Sequence, residues 1–281
     1  DTLSDGRLRI TIPGQDTDTG TASKAILPLS ALIAEGPYGA TPRIGDDGTT
    51  PFAAYRRPSS GNTSGSTIAI MVSRLGLDPR LTRNAIDVLP PEVSLSFAPY
   101  SSDIESLMMA AMAAGHEVAI ELPMEAPGIS ANALGPAGLM TDRGLEANAK
   151  RLGWLLARAP AFAMATNYLG ATYSSDGPSS ALLMATMKAH GLGYLDDTGL
   201  VASSAGDHGV PYGKTTIVLG RDRGDVTSSL DQLVQTARTN GQAVAKVYIS
   251  AEVISAIQEW SSELETRGVT LVPASAMLQI P

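Results

Sequence analysis

From Thr67 to the C-terminus, short runs of consecutive apolar residues alternate with longer segments whose apolar positions recur every three to four residues. The runs predict strands at residues 68–72, 93–98, 118–122, 161–165, 192–195, 215–219, 243–249 and 269–272. Most are continuous rather than alternating, which is the pattern of parallel strands covered on both faces. Between them, the helix-glycine-strand junction recurs at Gly115, Gly191, Gly241 and Gly268, where a left-handed residue is expected to end each helix. One such helix, residues 102–114, carries the apolar stripe Leu107, Met108, Ala111 and Met112, and Ser102 with Glu105 has the spacing of a capping box. Repeated β-α units of this kind predict an α/β protein, with a (β/α) barrel as first choice and an open doubly wound sheet as second.

Residues 1–66 have a different texture. Gly, Pro, Ser and Thr dominate, with one apolar stretch at residues 26–33, and turn signals at Pro37, Gly39, Pro42 and Gly45 predict an extended, largely irregular arm ahead of a barrel domain at residues 67–281.

Composition narrows the chemistry. The chain has no cysteine, which excludes disulfides, thiolate nucleophiles and zinc-thiolate sites. Twenty basic against 28 acidic residues give a net charge of -8, which disfavours nucleic acid and anionic membrane surfaces as partners. No apolar run reaches the ~18 residues of a spanning helix. Of the three histidines, His116 precedes a strand and His190 ends a helix, both at the rim opposite the expected site. Ser204, Asp207 and His208 offer triad residue types but crowd into five positions, which favours a polar loop over a relay. The string GNTSGST at residues 61–67 lacks the lysine and the strand-helix context of a phosphate loop.

In either α/β architecture a site lies beyond the C-terminal strand ends. The polar residues there include Ser73, Arg74, Tyr100, Glu121, Glu125, Asn167, Tyr168, Asp196, Asp197, Asp222, Tyr248 and Ser275. Glu121, Glu125 and Asp196 are the candidate catalytic acids. Ser73, Arg74, Tyr100, Asn167, Tyr168, Asp197 and Tyr248 are the candidate substrate-binding groups.

Several strings then become informative in their order and spacing: IAIMVSRLG (68–76), SLSFAPY (94–100), GHEVAIELPME (115–125), NYLGA (167–171), YLDD (194–197) and LVPAS (271–275). Together they resemble the divergent polysaccharide deacetylases, a branch of the NodB-like carbohydrate esterase superfamily. The resemblance implies a distorted (β/α) barrel, commonly seven-stranded. It also implies a link to carbohydrate metabolism and a periplasmic or envelope location behind an N-terminal signal or anchor.

Catalysis in that superfamily is metal-assisted hydrolysis of an acetamide, using Asp and His ligands, an Asp base and a His acid. The matching positions here depart from it. Paired aspartates at the end of the first strand are replaced by Ser73 and Arg74, a histidine after Asn167 by Tyr168, and a Gly-His-Pro string by Val247, Tyr248 and Ile249. Glu121 stands where His is often found, and Asp196, with Glu125 nearby, keeps an acidic type. This set predicts no metal and no other cofactor, an Arg74 guanidinium paired with Glu121 or Asp196, and a glycan-binding or envelope-complex protein. A carboxylate-based hydrolase is the alternative, and the arm offers a surface for a protein partner.

Overall fold

The computed structural model describes residues 28–59, 65–219, 226–264 and 266–280. Residues 1–27 of the arm, most of the 61–67 string and Asp222 lie outside these. The strands in chain order are β1 (Ile33–Gly36), β2 (Gly39–Pro42), β3 (Ser66–Leu75), β4 (Ser94–Phe97), β5 (Val118–Met124), β6 (Met164–Leu169), β7 (Gly193–Asp196), β8 (Tyr212–Lys214), β9 (Ile217–Leu219), β10 (Gln242–Tyr248) and β11 (Val269–Leu271). All eight expected strands are present, with β6 displaced towards the C-terminus because the apolar residues just before it are buried without strand pairing.

The main sheet runs β8-β7-β6-β5-β4-β3-β10-β9, and every pairing within it is parallel. Its two edge strands are successive in the chain. Only Thr215 and Thr216 separate β8 from β9, so their facing ends lie within about 11 Å, at ~3.6 Å per residue. The link itself changes partner: Thr215 N–H donates to Asp196 O on β7 and Thr216 N–H to Val244 O on β10. β8 and β9 are thus two halves of one bent strand that closes the sheet, and the barrel counts seven staves. β11 pairs with residues 66–68 of β3, ahead of the stretch that β4 covers.

The four junction glycines all have positive φ, between 63° and 94°, as left-handed helix ends require. The helix Ile104–Ala113 buries Leu107, Met108, Ala111 and Met112 as expected. Its start differs, because Asp103 is the N-cap, no side chain caps it, and the Ser102–Glu105 box does not form.

The described part of the arm is more ordered than its composition suggests. Residues 33–42 form the β1-β2 hairpin, and Pro51–Tyr55 forms a short helix capped by the Thr50 hydroxyl. Phe52 and Tyr55 of this helix are buried against the barrel's N-terminal end, where Phe52 N–H donates to Gly191 O.

That end is sealed by a buried carboxylate. Glu117 precedes β5 and is 1 % exposed. Its Oε1 accepts from Ser94 Oγ and Ser275 N–H, both at 3.0 Å, and its Oε2 from Arg57 N–H at 3.1 Å. Burial pushes the Glu117 carboxyl up despite these donors. One carboxylate therefore ties together the arm, β4 and the C-terminal turn Ala274–Met277.

A candidate saccharide cleft at the C-terminal mouth

The opposite end of the barrel begins with a break in β3. Its register to β4 shifts between Val72 and Leu75, and Arg74 within that bulge has φ 69°. A left-handed backbone is costly for a residue with a Cβ, and such bulges re-aim side chains beside functional sites. Here the bulge turns the Arg74 N–H away from the ladder and onto Glu121 Oε1. Ser96 Oγ donates to the same oxygen at 2.9 Å and lies 2.8 Å from Ser73 Oγ. Ser73, Ser96 and Glu121 are all buried.

The expected ion pair of Arg74 with Glu121 or Asp196 does not form. The backbone N–H satisfies Glu121, which frees the guanidinium to lie over the Tyr168 ring at 4.5 Å and near Tyr248 at 5.9 Å. The two tyrosine rings are 6.0 Å apart, so cation and aromatics form one plate at the mouth.

A second polar cluster crosses the lumen. Lys246 on β10 is fully buried, and its ammonium reaches Thr166 Oγ1 at 3.0 Å, the Asn167 carbonyl on β6, and Asp197 Oδ2 at 3.5 Å. The Asp197 side chain is 2 % exposed; its Oδ1 accepts from the Asn167 amide, and its N–H donates to Asn167 Oδ1 at 3.0 Å. Asn167 also bonds the carbonyl of Leu169, the second non-glycine residue of positive φ. Lys246 was absent from the sequence-derived site. The available signal was a lone charge within the apolar run 243–249.

The remaining candidates separate. Asp196 Oδ1 accepts from Thr198 N–H and Oγ1, both at 2.7 Å, and its Oδ2 from Tyr212 Oη at 3.0 Å. Burial and the neighbouring Asp196 push the Tyr212 phenol up, so it remains the donor. Glu125 Oε2 is held by Thr141 N–H and Oγ1 at 2.8 and 2.7 Å. Tyr100 Oη donates to Leu134 O at 2.6 Å and accepts from Ala137 N–H at 3.2 Å, anchoring the loop that walls the mouth. Gly135 makes this possible, since a Cβ there would sit 2.6 Å from the Tyr100 ring. Arg74, Tyr100, Glu121, Leu134 and Tyr168 line a pocket of about 80 Å³. At ~30 Å³ of liquid per water, that is room for a sugar substituent rather than a ring.

Away from the mouth, the histidines are structural. His116 lies between Val93 O and Ile86 O at 2.8 and 3.1 Å, and burial pulls its pKa down. His190 Nδ1 bonds Pro42 O at 2.6 Å and fixes the hairpin to the barrel. Ser204, Asp207 and His208 fall on a helix, Ala202–His208, rather than a loop, and His208 Nδ1 meets the Ser204 carbonyl instead of its hydroxyl.

The donor set does not fit a divalent cation. The strand ends present a guanidinium and two phenols, and the lumen carboxylate of Asp197 already faces an ammonium. Among the described residues no three His, Asp or Glu side chains converge. Nor is any described helix long and apolar enough to cross a membrane.

A seven-stave parallel barrel with polar groups gathered at its C-terminal mouth is the architecture of a deacetylase-type (β/α) barrel. Residues 70–278 match the divergent polysaccharide deacetylase family, and the chain belongs to it. The uncharacterized protein YibQ of Escherichia coli K12 is 24 % identical over 236 residues, covering 82 % of this chain and 72 % of YibQ. The uncharacterized protein ATU2773 from Agrobacterium tumefaciens C58 superposes with a TM-score of 0.79 at 33 % identity, over 85 % of this chain and 99 % of its own. A proposed cellobiose-phosphate cleavage protein from Enterococcus faecalis V583 shares the fold, with a TM-score of 0.54 at 13 % identity over 77 % of this chain and all of its own.

Proposed function

We propose that this domain binds a glycan of the cell envelope at the C-terminal mouth of its barrel and does not carry out metal-dependent deacetylation. The observation that carries the reading is the plate formed by Arg74, Tyr168 and Tyr248 over a pocket sized for a sugar substituent. Aromatic faces and a guanidinium hold sugars by stacking and by directed hydrogen bonds. Ser73, Tyr100, Asn167 and Asp197 shape the floor and walls in this reading. Glu121 supplies an acceptor to the pocket, since its Oε2 takes no hydrogen bond among the described residues.

The carboxylate-hydrolase alternative has less support. Paired-carboxylate chemistry needs two free acids facing one bond. Asp196 is held by Thr198 and Tyr212, and Glu125 by Thr141.

Calorimetric titration with N,N′,N″-triacetylchitotriose tests the proposal. Binding is expected, weakening about tenfold or more in Tyr168→Ala, with no acetate released when zinc, cobalt or manganese is added. Metal-stimulated acetate release would overturn the non-catalytic part, and binding indifferent to Tyr168→Ala would overturn the site.

A further inference from the structure

A groove runs along the other side of Tyr100, and its main wall is one face of a helix. The helix Leu145–Leu156 buries Asn148, Leu152, Leu155 and Leu156 against the barrel. A second stripe, Ala147, Lys150, Arg151 and Trp154, follows the i, i+3, i+4, i+7 spacing and lines the groove. Opposite it stand Tyr38, at the turn of the β1-β2 hairpin, and Pro136 of the loop that Tyr100 anchors. This apolar half encloses about 480 Å³, within the size range of small-molecule sites. Pro136 and Arg151 also line an adjoining, more polar hollow of about 430 Å³ that contains Asn132 and Arg143. Tyr100 and Trp154 stack with centroids 6.0 Å apart, so the groove continues from the wall of the mouth pocket.

Its cations are not equally available. Lys150 is paired with Glu146 at 2.7 Å, and Arg143 lies 3.5 Å from Asp142. Arg151 pairs with no carboxylate among the described residues, and its Nε reaches only the Pro136 carbonyl, at 3.4 Å. A guanidinium left uncompensated between an aromatic hollow and a polar one, on a chain of net charge -8, is complementary to a ligand that is apolar at one end and anionic at the other.

We infer that this groove is a second saccharide site that takes an acidic sugar, its apolar face against Tyr38, Pro136 and the part of Trp154 left uncovered by the stacked Tyr100 and by the Arg158 guanidinium, 4.9 Å over that ring, and its carboxylate on Arg151. The inference rests on the glycan-binding reading of the mouth and adds a charge preference to it. Arg143 and the Asn132 amide extend the polar end, and the stacked Tyr100 links the two subsites along one glycan.

The test compares tri-galacturonate with neutral triacetylchitotriose by calorimetry on the wild-type chain, Arg151→Gln and Trp154→Ala. Tri-galacturonate is expected to bind, to weaken at least tenfold in each variant, and to weaken further as salt rises. Arg151→Gln should change chitotriose binding less than twofold. If tri-galacturonate fails to bind or ignores both substitutions while chitotriose still binds in a Tyr168-dependent way, the inference falls and the mouth reading stands. If neither saccharide binds, the mouth reading falls and takes this one with it.

Discussion

The two ends of the barrel each bury a glutamate from the same face of one strand, and they treat it in opposite ways. Glu117 and Glu121 are four residues apart on the β5 segment, or ~13 Å at 3.3 Å per residue. At the N-terminal end Glu117 receives donors from three distant segments, all of them neutral, and nothing is left over for a ligand. At the C-terminal end Glu121 shares one oxygen with a bulged backbone N–H and a serine, and it lines a pocket. Behind it an ammonium and a carboxylate face each other across the lumen. A buried carboxyl group met by neutral donors on every side acts as a fastener. One set among opposed charges at an opening acts as a site.

The comparison breaks most visibly at Lys246. Replacing it by Met removes the ammonium that faces the buried Asp197 carboxylate, and the expected cost is on the order of 3–5 kcal/mol by denaturant titration. Adding Asp197→Asn to Lys246→Met should recover much of that loss, because the buried negative charge is gone together with the ammonium that balanced it. A cost near 1 kcal/mol for the single variant would mean that water reaches the pair.

At the other end, Glu117→Ala leaves Ser94 Oγ and the N–H groups of Ser275 and Arg57 without their acceptor. The expected loss is about 3 kcal/mol, at 1–3 kcal/mol per buried unsatisfied group with partial relaxation. Glu117→Gln keeps one carbonyl oxygen and should cost less.

The same group sets a pH dependence. Because burial raises the Glu117 pKa in the fold, the native state holds a proton that the unfolded chain has already released. Stability should therefore fall as pH rises above the ordinary glutamate value of ~4.3. Subtracting the stability curve of Glu117→Gln isolates this, since His116, whose depressed pKa acts in the opposite sense as pH falls, is common to both. A difference curve that is flat from pH 4 to 8 would show that the three donors offset burial.

The smallest effects belong to Arg74. With Glu121 held by a backbone N–H, Arg74→Ala strands no carboxylate and should cost at most about 1 kcal/mol, the worth of the stacked cation. Arg74→Gly loses the same contact but relieves the left-handed backbone, so it should be the more stable of the two by up to ~1 kcal/mol. Thermal denaturation ranks them, and the reverse order would mean that the bulge is not strained.

The comparison also shows what the sequence can and cannot say. The staves were legible because continuous apolar runs such as 68–72 and 118–122 admit few alternatives, and the junction glycines gave their spacing. The split of the closing strand was not, because Thr215 and Thr216 change partners through pairing geometry that no local propensity encodes. Arg74 was singled out by charge, yet its partner could not be foreseen, since a bulge redirects the backbone and exchanges the roles of N–H and side chain. Of the two adjacent aspartates, Asp197 faces the lumen lysine and Asp196 a tyrosine and a threonine, since successive side chains at a strand end point to opposite faces. Trp154 and Arg151 carry no signal of this kind, because they lie within a helix rather than at the strand ends where a barrel site is expected.

The bent strand formed by β8 and β9 has a consequence for association. A parallel sheet normally ends in two rows of unpaired backbone groups, each a template for another chain. Here the chain leaves one edge and crosses to the other within two residues, so the same segment caps both rows. New termini cut between Thr215 and Thr216 would leave every side chain in place, yet each three-residue half would then hold its border alone and be free to fray from it. A circular permutant opened there is the form of this protein in which β-sheet aggregation should appear first.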